Sequence, residues 1–467
     1  MGGIFGCALK TDCVNDLFYG TDYLSHLGTR RGGLSVRGPN GFDRSIHNIE
    51  RDYFRAKFEP DLHKFEGNLG IGVISDTDSQ PMVISSHLGA FAIVTVGRIH
   101  NLEFLARAAF QNRRHFSEMS SQGINPTELV ANIICQEQSF EAGIVRVQEV
   151  IQGSCSLLLM TEVGIYAARD KLGRTPLIIG KKKDGFAVSS ETCAFPNIGY
   201  EIHRYLGPGE VVLITPEGCE RKTDPGEKMQ ICSFLWVYYG YPASSYEGVN
   251  VEEVRYRCGC ALARDDAVEV DFVSGIPDSG IGHALGYANE RGIPYRRAFV
   301  KYTPTWPRSF MPQKQAVRDL VARMKLIPVH SLIQGRRILF CEDSIVRGTQ
   351  LQDTIQVLFD CGAREIHMRP ACPTLIYPCE FLNFSTSRST LDLAGRKAIQ
   401  EMEGREDRNL DQYASAGSEK NLAMTEHIRR RLRLTSLVYQ RMEDLVAAIG
   451  LPKEKLCTHC WDGTSYF

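Results

Sequence analysis

Residues 336–350 read RRILFCEDSIVRGTQ. An apolar run through Cys341 leads into two adjacent acids, Glu342 and Asp343, then a loop from Ser344 to Gly348, then a helical pattern from Thr349. Strand, turn and helix in this order put the loop at the carboxyl end of a strand, where ligands sit in open α/β sheets. Backbone N–H groups can turn inward there on a phosphate, aided by the positive end of the helix. Ser344 and Thr349 add hydroxyl donors, and the acids can hold ribose hydroxyls or Mg²⁺, which prefers oxygen ligands. A merely solvated turn would not need the whole ordered string.

The surrounding half keeps the same rhythm. VEVDFVSGIPDSG (268–280) is a strand running into a turn, and IGHALGYANERG (281–292) is helical. RRAFVKY (296–302) reads as another strand, and QKQAVRDLVARMKL (313–326) as another helix. This alternation predicts an α/β unit, a parallel sheet covered by helices. SLVYQRMEDLVAAIG (436–450) reads as a last helix leading into CTHC (457–460), and the charged stretch 395–421 as an exposed helix or loop. The first half differs: GIGVI (70–74), AFAIVTV (90–96), CSLLLM (155–160) and GFAVSS (185–190) are short apolar runs separated by turn signals. Such runs predict layered antiparallel sheets, an α+β unit with helical spacing over 126–147. The polar stretch RKTDPGEKMQ (221–230) marks the joint. The expected units are 1–228, 229–440 and a tail, 441–467.

Length and charge set limits. A chain of 467 residues forms more than one domain, and 43% hydrophobic with 23% charged residues is ordinary for a globular protein. With 54 Lys+Arg against 55 Asp+Glu, bulk charge favours neither nucleic acid nor membrane surfaces. No apolar run reaches the length of a membrane span, and no signal segment opens the chain, so a cytoplasmic location is expected. Fifteen cysteines would remain thiols there, most of them small core residues such as Cys155 and Cys361. Cys457 and Cys460 form a C-x-x-C pair, a spacing that suits a metal or an iron–sulfur cluster.

The stretch 336–350 resembles the phosphoribosyl pyrophosphate (PRPP) loop of type I phosphoribosyltransferases, and in particular the DDSIVRGT form of the amidophosphoribosyltransferase family. GIPDSGIGHALGYANERGIPY (275–295) and RSFMPQKQAVRDLVARMKL (308–326) resemble further segments of that family, and the resemblance covers nearly the whole chain. It implies an N-terminal nucleophile-hydrolase-like glutaminase domain followed by a phosphoribosyltransferase domain. By this register Asp343, Ser344, Ile345, Val346, Arg347, Gly348 and Thr349 form the PRPP loop, with Glu342 replacing the family's first Asp. Asp278 and Ser279 match the region that helps bind Mg²⁺ and pyrophosphate, which makes Ser279, Glu342 and Asp343 the Mg²⁺ candidates. Lys301, Arg308 and Lys325 match basic residues around the flexible loop. That loop departs from the family, KYTPTWPRSF (301–310) standing where relatives have KNRYVGRTF.

The same resemblance exposes losses at the other end. Family glutaminases use a Cys immediately after the initiator Met as nucleophile, and GGIFG (2–6) places Gly2 there. Cys7 is the nearest thiol, but its amine is locked in a peptide bond. Ser75 stands where an Arg holds the substrate carboxylate, Val96 where an Asn stabilises the oxyanion, and Pro126 where an acid receives the substrate amine. One missing donor of the oxyanion kind costs about 3 kcal/mol of transition-state stabilisation. Glutamine chemistry is expected to be lost on a scaffold that persists.

Some family members carry a [4Fe–4S] cluster, and the matching positions here are Cys232, Cys379, Cys457 and Cys460. A zinc site would use the same four thiols and is the less favoured alternative. The resemblance implies PRPP and ammonia as substrates, 5-phosphoribosylamine and pyrophosphate as products, and purine nucleotides as inhibitors. It also implies a homo-oligomer, or a hetero-oligomer with a related amidotransferase. The competing expectation is a non-catalytic PRPP or nucleotide sensor that regulates a true amidotransferase.

Overall fold

A computed structural model describes residues 2–76, 78–120, 123–302, 326–382 and 389–466. Two antiparallel sheets form the first half. The seven-stranded sheet carries Gly3–Leu9 near its middle, paired with Gly185–Ser189 on one side and Leu69–Ser75 on the other. The six-stranded sheet pairs Gly89–Ile99 with Gly153–Met160. Alternation along Gly3–Leu9 explains why its sequence is apolar throughout: Ile4 and Ala8 face the second sheet, while Phe5, Cys7 and Leu9 face the opposite core. A strand buried on both faces needs apolar residues in both phases. Helices Pro126–Ile134 and Phe140–Val150 cover the outer face of the six-stranded sheet.

The second half is built on a parallel sheet in the order Phe272–Gly275, Arg337–Glu342, Glu365–Pro370, Ser436–Leu437. The layered antiparallel and parallel α/β units expected from the sequence are both present. Among the described residues, no helix is long and apolar enough to cross a membrane.

Two expectations are corrected. Phe299–Lys301 does not join the parallel sheet; it pairs antiparallel with Leu326–Pro328 in a two-stranded ribbon. Its apolar run identified a strand, but the choice of partner depends on where the chain returns. The stretch 436–450 is not one helix. Ser436–Leu437 is the fourth parallel strand, and Val438 and Gln440 N–H groups continue along the neighbouring strand to Met368 and Pro370 carbonyls at 3.2 and 3.1 Å. Only Met442–Ile449 is helical. The ladder fixes the backbone before the helical periodicity can act. The proposed helix at 313–326 lies outside the described residues up to Lys325.

Helices Val251–Arg264 and Gly280–Arg291 cross with their backbones in contact. A Cβ added at Gly259 would meet the His283 carbonyl oxygen at 1.9 Å, and His283 itself is fully buried. Burial, and next the Arg255 charge, push its imidazole down to about 3, so it packs there neutral. Gly259→Ala therefore has to part the two helices, an overpacking cost of about 1–3 kcal/mol. The expected outcome is a lowered melting temperature. A melting curve that overlays the wild type would show that the helices do not meet at this point.

Candidate functional site

The central strand Arg337–Glu342 ends among three polar side chains drawn from two loops. Asp343 is only 6% exposed. Its Oδ2 accepts a hydrogen bond from Ser279 Oγ at 2.5 Å, and its Oδ1 accepts one from Ser344 Oγ at 2.6 Å. Glu342 Oε1 accepts from the Asp343 N–H at 3.2 Å. Burial, and then the neighbouring Asp343 charge, raise the Glu342 carboxyl well above the usual carboxylate range. A cation arriving there would relieve both causes.

The rest of the loop is anchored differently at each residue. Ile345 is buried in the core beneath the sheet. The Val346 carbonyl accepts from the Ala394 N–H at 2.7 Å. Arg347 is exposed, its guanidinium 4.0 Å from Asp392. Gly348 adopts φ +75°, the left-handed conformation that lets the loop turn into helix Thr349–Asp360. Lys301 pairs with Asp278 at the rim of a pocket of about 100 Å³ that Gly275, Tyr295 and Arg297 also line. Arg308 and Lys325 lie outside the described residues.

Sequence reasoning missed Arg255. It is buried, and its guanidinium donates to the Trp236, Tyr238 and Gly240 carbonyls at 3.0, 3.0 and 2.9 Å. Burial lowers its basicity, while Asp343 leads the charges that oppose that shift. A single Arg in a charged helix gave no signal that it would point inward toward the acids.

A second site lies in the antiparallel half. Gly2, Ser75, Val96, Gly97 and Pro126 all line one cavity of about 700 Å³. Positions spread over 125 residues of sequence thus meet at one place. Three acids, Asp76, Asp78 and Glu103, share the lining, and Asp76 Oδ1 accepts from the Thr29 N–H at 2.7 Å. Space at Gly2 is closed, since a Cβ there would lie 2.6 Å from the Ile74 carbonyl oxygen and 3.2 Å from Val96 Cγ1. Cys7 offers no substitute nucleophile. It is fully buried, and burial, then Cys13, raise its thiol well above the ordinary range.

The third site is a quartet of cysteines. Cys232, Cys379, Cys457 and Cys460 are all buried, and Cys232 faces Cys457 in a short parallel ladder. Cys379 is the first cause, ahead of burial, that raises the Cys460 thiol. Cys232 is raised by burial and then by Cys457 and Cys379, so the four groups feel one another. Among the described residues, however, no three His, Cys, Asp or Glu side chains close on a single metal-ion position. Cys258 sits on helix Val251–Arg264, its carbonyl accepting from the Gln440 side-chain amide at 2.9 Å.

The chain is similar to known proteins over its whole length. Residues 67–197 match the model of a glutamine amidotransferase domain. The amidophosphoribosyltransferase of Methanocaldococcus jannaschii is 30% identical, the match covering 99% of this chain and 97% of that protein. That of Methanothermobacter thermautotrophicus is 31% identical over 99% and 93%. The solved glutamine phosphoribosylpyrophosphate amidotransferase from B. subtilis, complexed with ADP and GMP, superposes with a TM-score of 0.85 at 28% identity, covering 99% of this chain and 97% of that one. With an acid pair at the end of a parallel strand, a glutaminase-like cavity in the antiparallel layers and full-length identity at this level, the chain belongs to the amidophosphoribosyltransferase family.

Proposed function

We propose that this chain transfers the 5-phosphoribosyl group of PRPP to ammonia, giving 5-phosphoribosylamine and pyrophosphate, the opening step of purine nucleotide synthesis, and that it does not hydrolyse glutamine. Family membership supports the pentosyltransferase reaction. The finer reading rests on an asymmetry between the two sites. Ser279, Asp343 and Ser344 interlock at the strand end, whereas the cavity has Gly2, Ser75, Val96 and Pro126 where glutamine chemistry needs a nucleophile, a cation, an amide and an acid.

In this reading ammonia's lone pair forms a bond to C1 of the ribose as the bond from C1 to pyrophosphate breaks, and the new ammonium loses a proton to water. The loop N–H groups hold the 5-phosphate, the acid pair faces the ribose hydroxyls, and the positive end of helix Thr349–Asp360 offsets phosphate charge. Ser279, Glu342 and Asp343 fit Mg²⁺, which binds through one or two carboxylates and takes its remaining ligands from water and substrate phosphates. When bound it would neutralise the leaving pyrophosphate.

The cysteine quartet fits a [4Fe–4S] cluster better than zinc. Zinc would need four sulfurs about 2.3 Å from one common centre. A cluster gives each thiolate its own iron and tolerates a wider spread. We further assign units 1–228, 229–440 and 441–467, a cytoplasmic location, purine nucleotides as inhibitors and an oligomer, either of this chain or with a related amidotransferase.

Product assays test the central claim. With PRPP and Mg²⁺, ammonium salt should give phosphoribosylamine, and glutamine should give neither product nor glutamate. Gly2→Cys should not restore glutamine use, because the space beside Ile74 and Val96 is filled. Glutamate release by the wild type would end this reading; PRPP binding without turnover on either donor would favour a regulatory sensor. Asp343→Asn should weaken Mg²⁺-dependent PRPP binding by about 1–3 kcal/mol in calorimetry, the cost of losing a charged partner. Equal affinity would place the substrate elsewhere. Protein purified without oxygen should contain iron and sulfide, and Cys457→Ser should lose both along with thermal stability, since a group that binds only the folded chain stabilises it. Stoichiometric zinc in a colourless wild type would replace the cluster.

A further inference from the structure

Four consecutive residues of the second half are held by the first. Ser244 Oγ and the Tyr246 hydroxyl donate to the Glu191 carboxylate at 3.0 and 2.5 Å. Between them, the Ser245 N–H donates to Thr192 Oγ1 at 2.8 Å. Next along, Glu247 Oε1 accepts from the Arg169 guanidinium at 2.7 Å. Arg169, Glu191 and Thr192 all belong to the antiparallel half, and Glu191 is only 1% exposed. Burial pushes its carboxyl up, but the charge of His26, whose Nε2 lies 3.0 Å away, and the two hydroxyls together bring it below the usual carboxylate range. An ionised acceptor makes such bonds shorter and stronger than neutral ones.

The captured stretch decides where a helix begins. Asn250 caps helix Val251–Arg264, its side chain accepting from the Glu253 N–H at 3.1 Å and donating back to the Ser244 carbonyl at 3.1 Å. The Val251 N–H reaches the same carbonyl at 2.9 Å. This helix lies directly on helix Gly280–Arg291, with glycines at the contact. A Cβ at Gly282 would meet Arg255 Cβ at 3.0 Å, and one at Gly286 would meet the Tyr256 carbonyl oxygen at 2.0 Å. At that spacing neither helix can shift without displacing the other. The second helix starts at Ser279, whose hydroxyl is bonded to Asp343. Direct contacts thus lead from one carboxylate in the antiparallel half to the acid pair.

We propose that Glu191 is a positioning residue for the phosphoribosyl site: by fixing the stretch 244–247 it sets the start of helix Val251–Arg264 and, through the helix packed on it, the place of Ser279 beside Asp343. The inference rests on the PRPP reading given above. Groups that bind a substrate have to be held to within about 0.5 Å by the residues around them, so a change this far from the acids is felt there. Glu191 acts through Ser279 and not on the substrate.

A double-mutant cycle tests it. Mg²⁺-dependent PRPP binding is measured by calorimetry on the full-length wild type, Glu191→Gln, Ser279→Ala and the double variant, at a temperature where circular dichroism shows all four folded. Glu191→Gln keeps the volume but puts an amide donor among donors, and its Kd should rise about 3- to 30-fold. In the Ser279→Ala background the same change should cost less than about twofold, because the contact it acts through is gone. A merely structural role would give the same factor in both backgrounds, and that result overturns the proposal. So does wild-type affinity in a folded Glu191→Gln chain. If Glu191→Gln does not fold, Tyr246→Phe, which removes one hydroxyl and keeps the ring, takes its place in the cycle under the same two criteria. A wild type that does not bind PRPP removes the proposed function and this inference together, whereas failure of the cycle in a wild type that binds leaves that function standing.

Discussion

Two carboxylates delivered side by side to the end of a buried strand are the constraint around which the second half is arranged. Glu342 does not readily carry its charge in that setting without help, because burial and the neighbouring Asp343 charge act in the same direction. The structure supplies part of the help in neutral form. Ser279 and Ser344 each give a hydroxyl hydrogen bond to Asp343, and the Arg255 field reaches it from behind. In the proposed function, a divalent ion arriving with the phosphorylated sugar would relieve what repulsion remains. The parallel sheet matters here because only a parallel arrangement brings the ends of Phe272–Gly275 and Arg337–Glu342 together at one edge, so that Ser279 and Asp343 meet across 64 residues of sequence.

That much was legible in the sequence because the relevant forces are local. An apolar run, two acids, small residues and a helical pattern occur in one uninterrupted string, and each part specifies its own conformation. The layered first half was legible for a similar reason, since turn signals separate its short apolar runs. The errors have the opposite character. Phe299–Lys301 is a strand whose partner, Leu326–Pro328, lies across a long intervening segment, so its sheet could not be read from its own residues. Ser436–Leu437 was hidden inside a helix-like period because ladder hydrogen bonds to a distant strand, rather than side-chain spacing, determine its backbone. The buried position of Arg255 was invisible for the same reason. Nothing in an isolated arginine announces that its guanidinium will be buried.

The cavity in the antiparallel half shows how strand pairing holds a space open whatever side chains line it. Its walls are made by strand pairing: Gly3 opposite Ile74 and Gly97 opposite Cys155 hold the surrounding backbone. Those registers depend on apolar faces packed between the sheets and not on the polar side chains that face the cavity. With Ser75, Val96 and Pro126 in its lining, the space measures about 700 Å³. Val96 approaches the place that a side chain at Gly2 would take.

The two halves are also mechanically joined through their least polar surfaces. A single apolar core runs from Phe5 and Leu34 in the antiparallel sheet through Trp236 and Tyr246 to Leu339 on the acid-bearing strand and Trp461 in the tail. Cys232 leaves the joint beside Arg174, pairs with Cys457 and leads into the segment whose carbonyls Arg255 captures. Arg255 in turn is felt at Asp343. A change in how the cysteines are held therefore has a continuous path of packed and hydrogen-bonded groups to the acid pair. The antiparallel half is in these terms a structural part of the other: its core is continuous with the one that carries the acid-bearing strand.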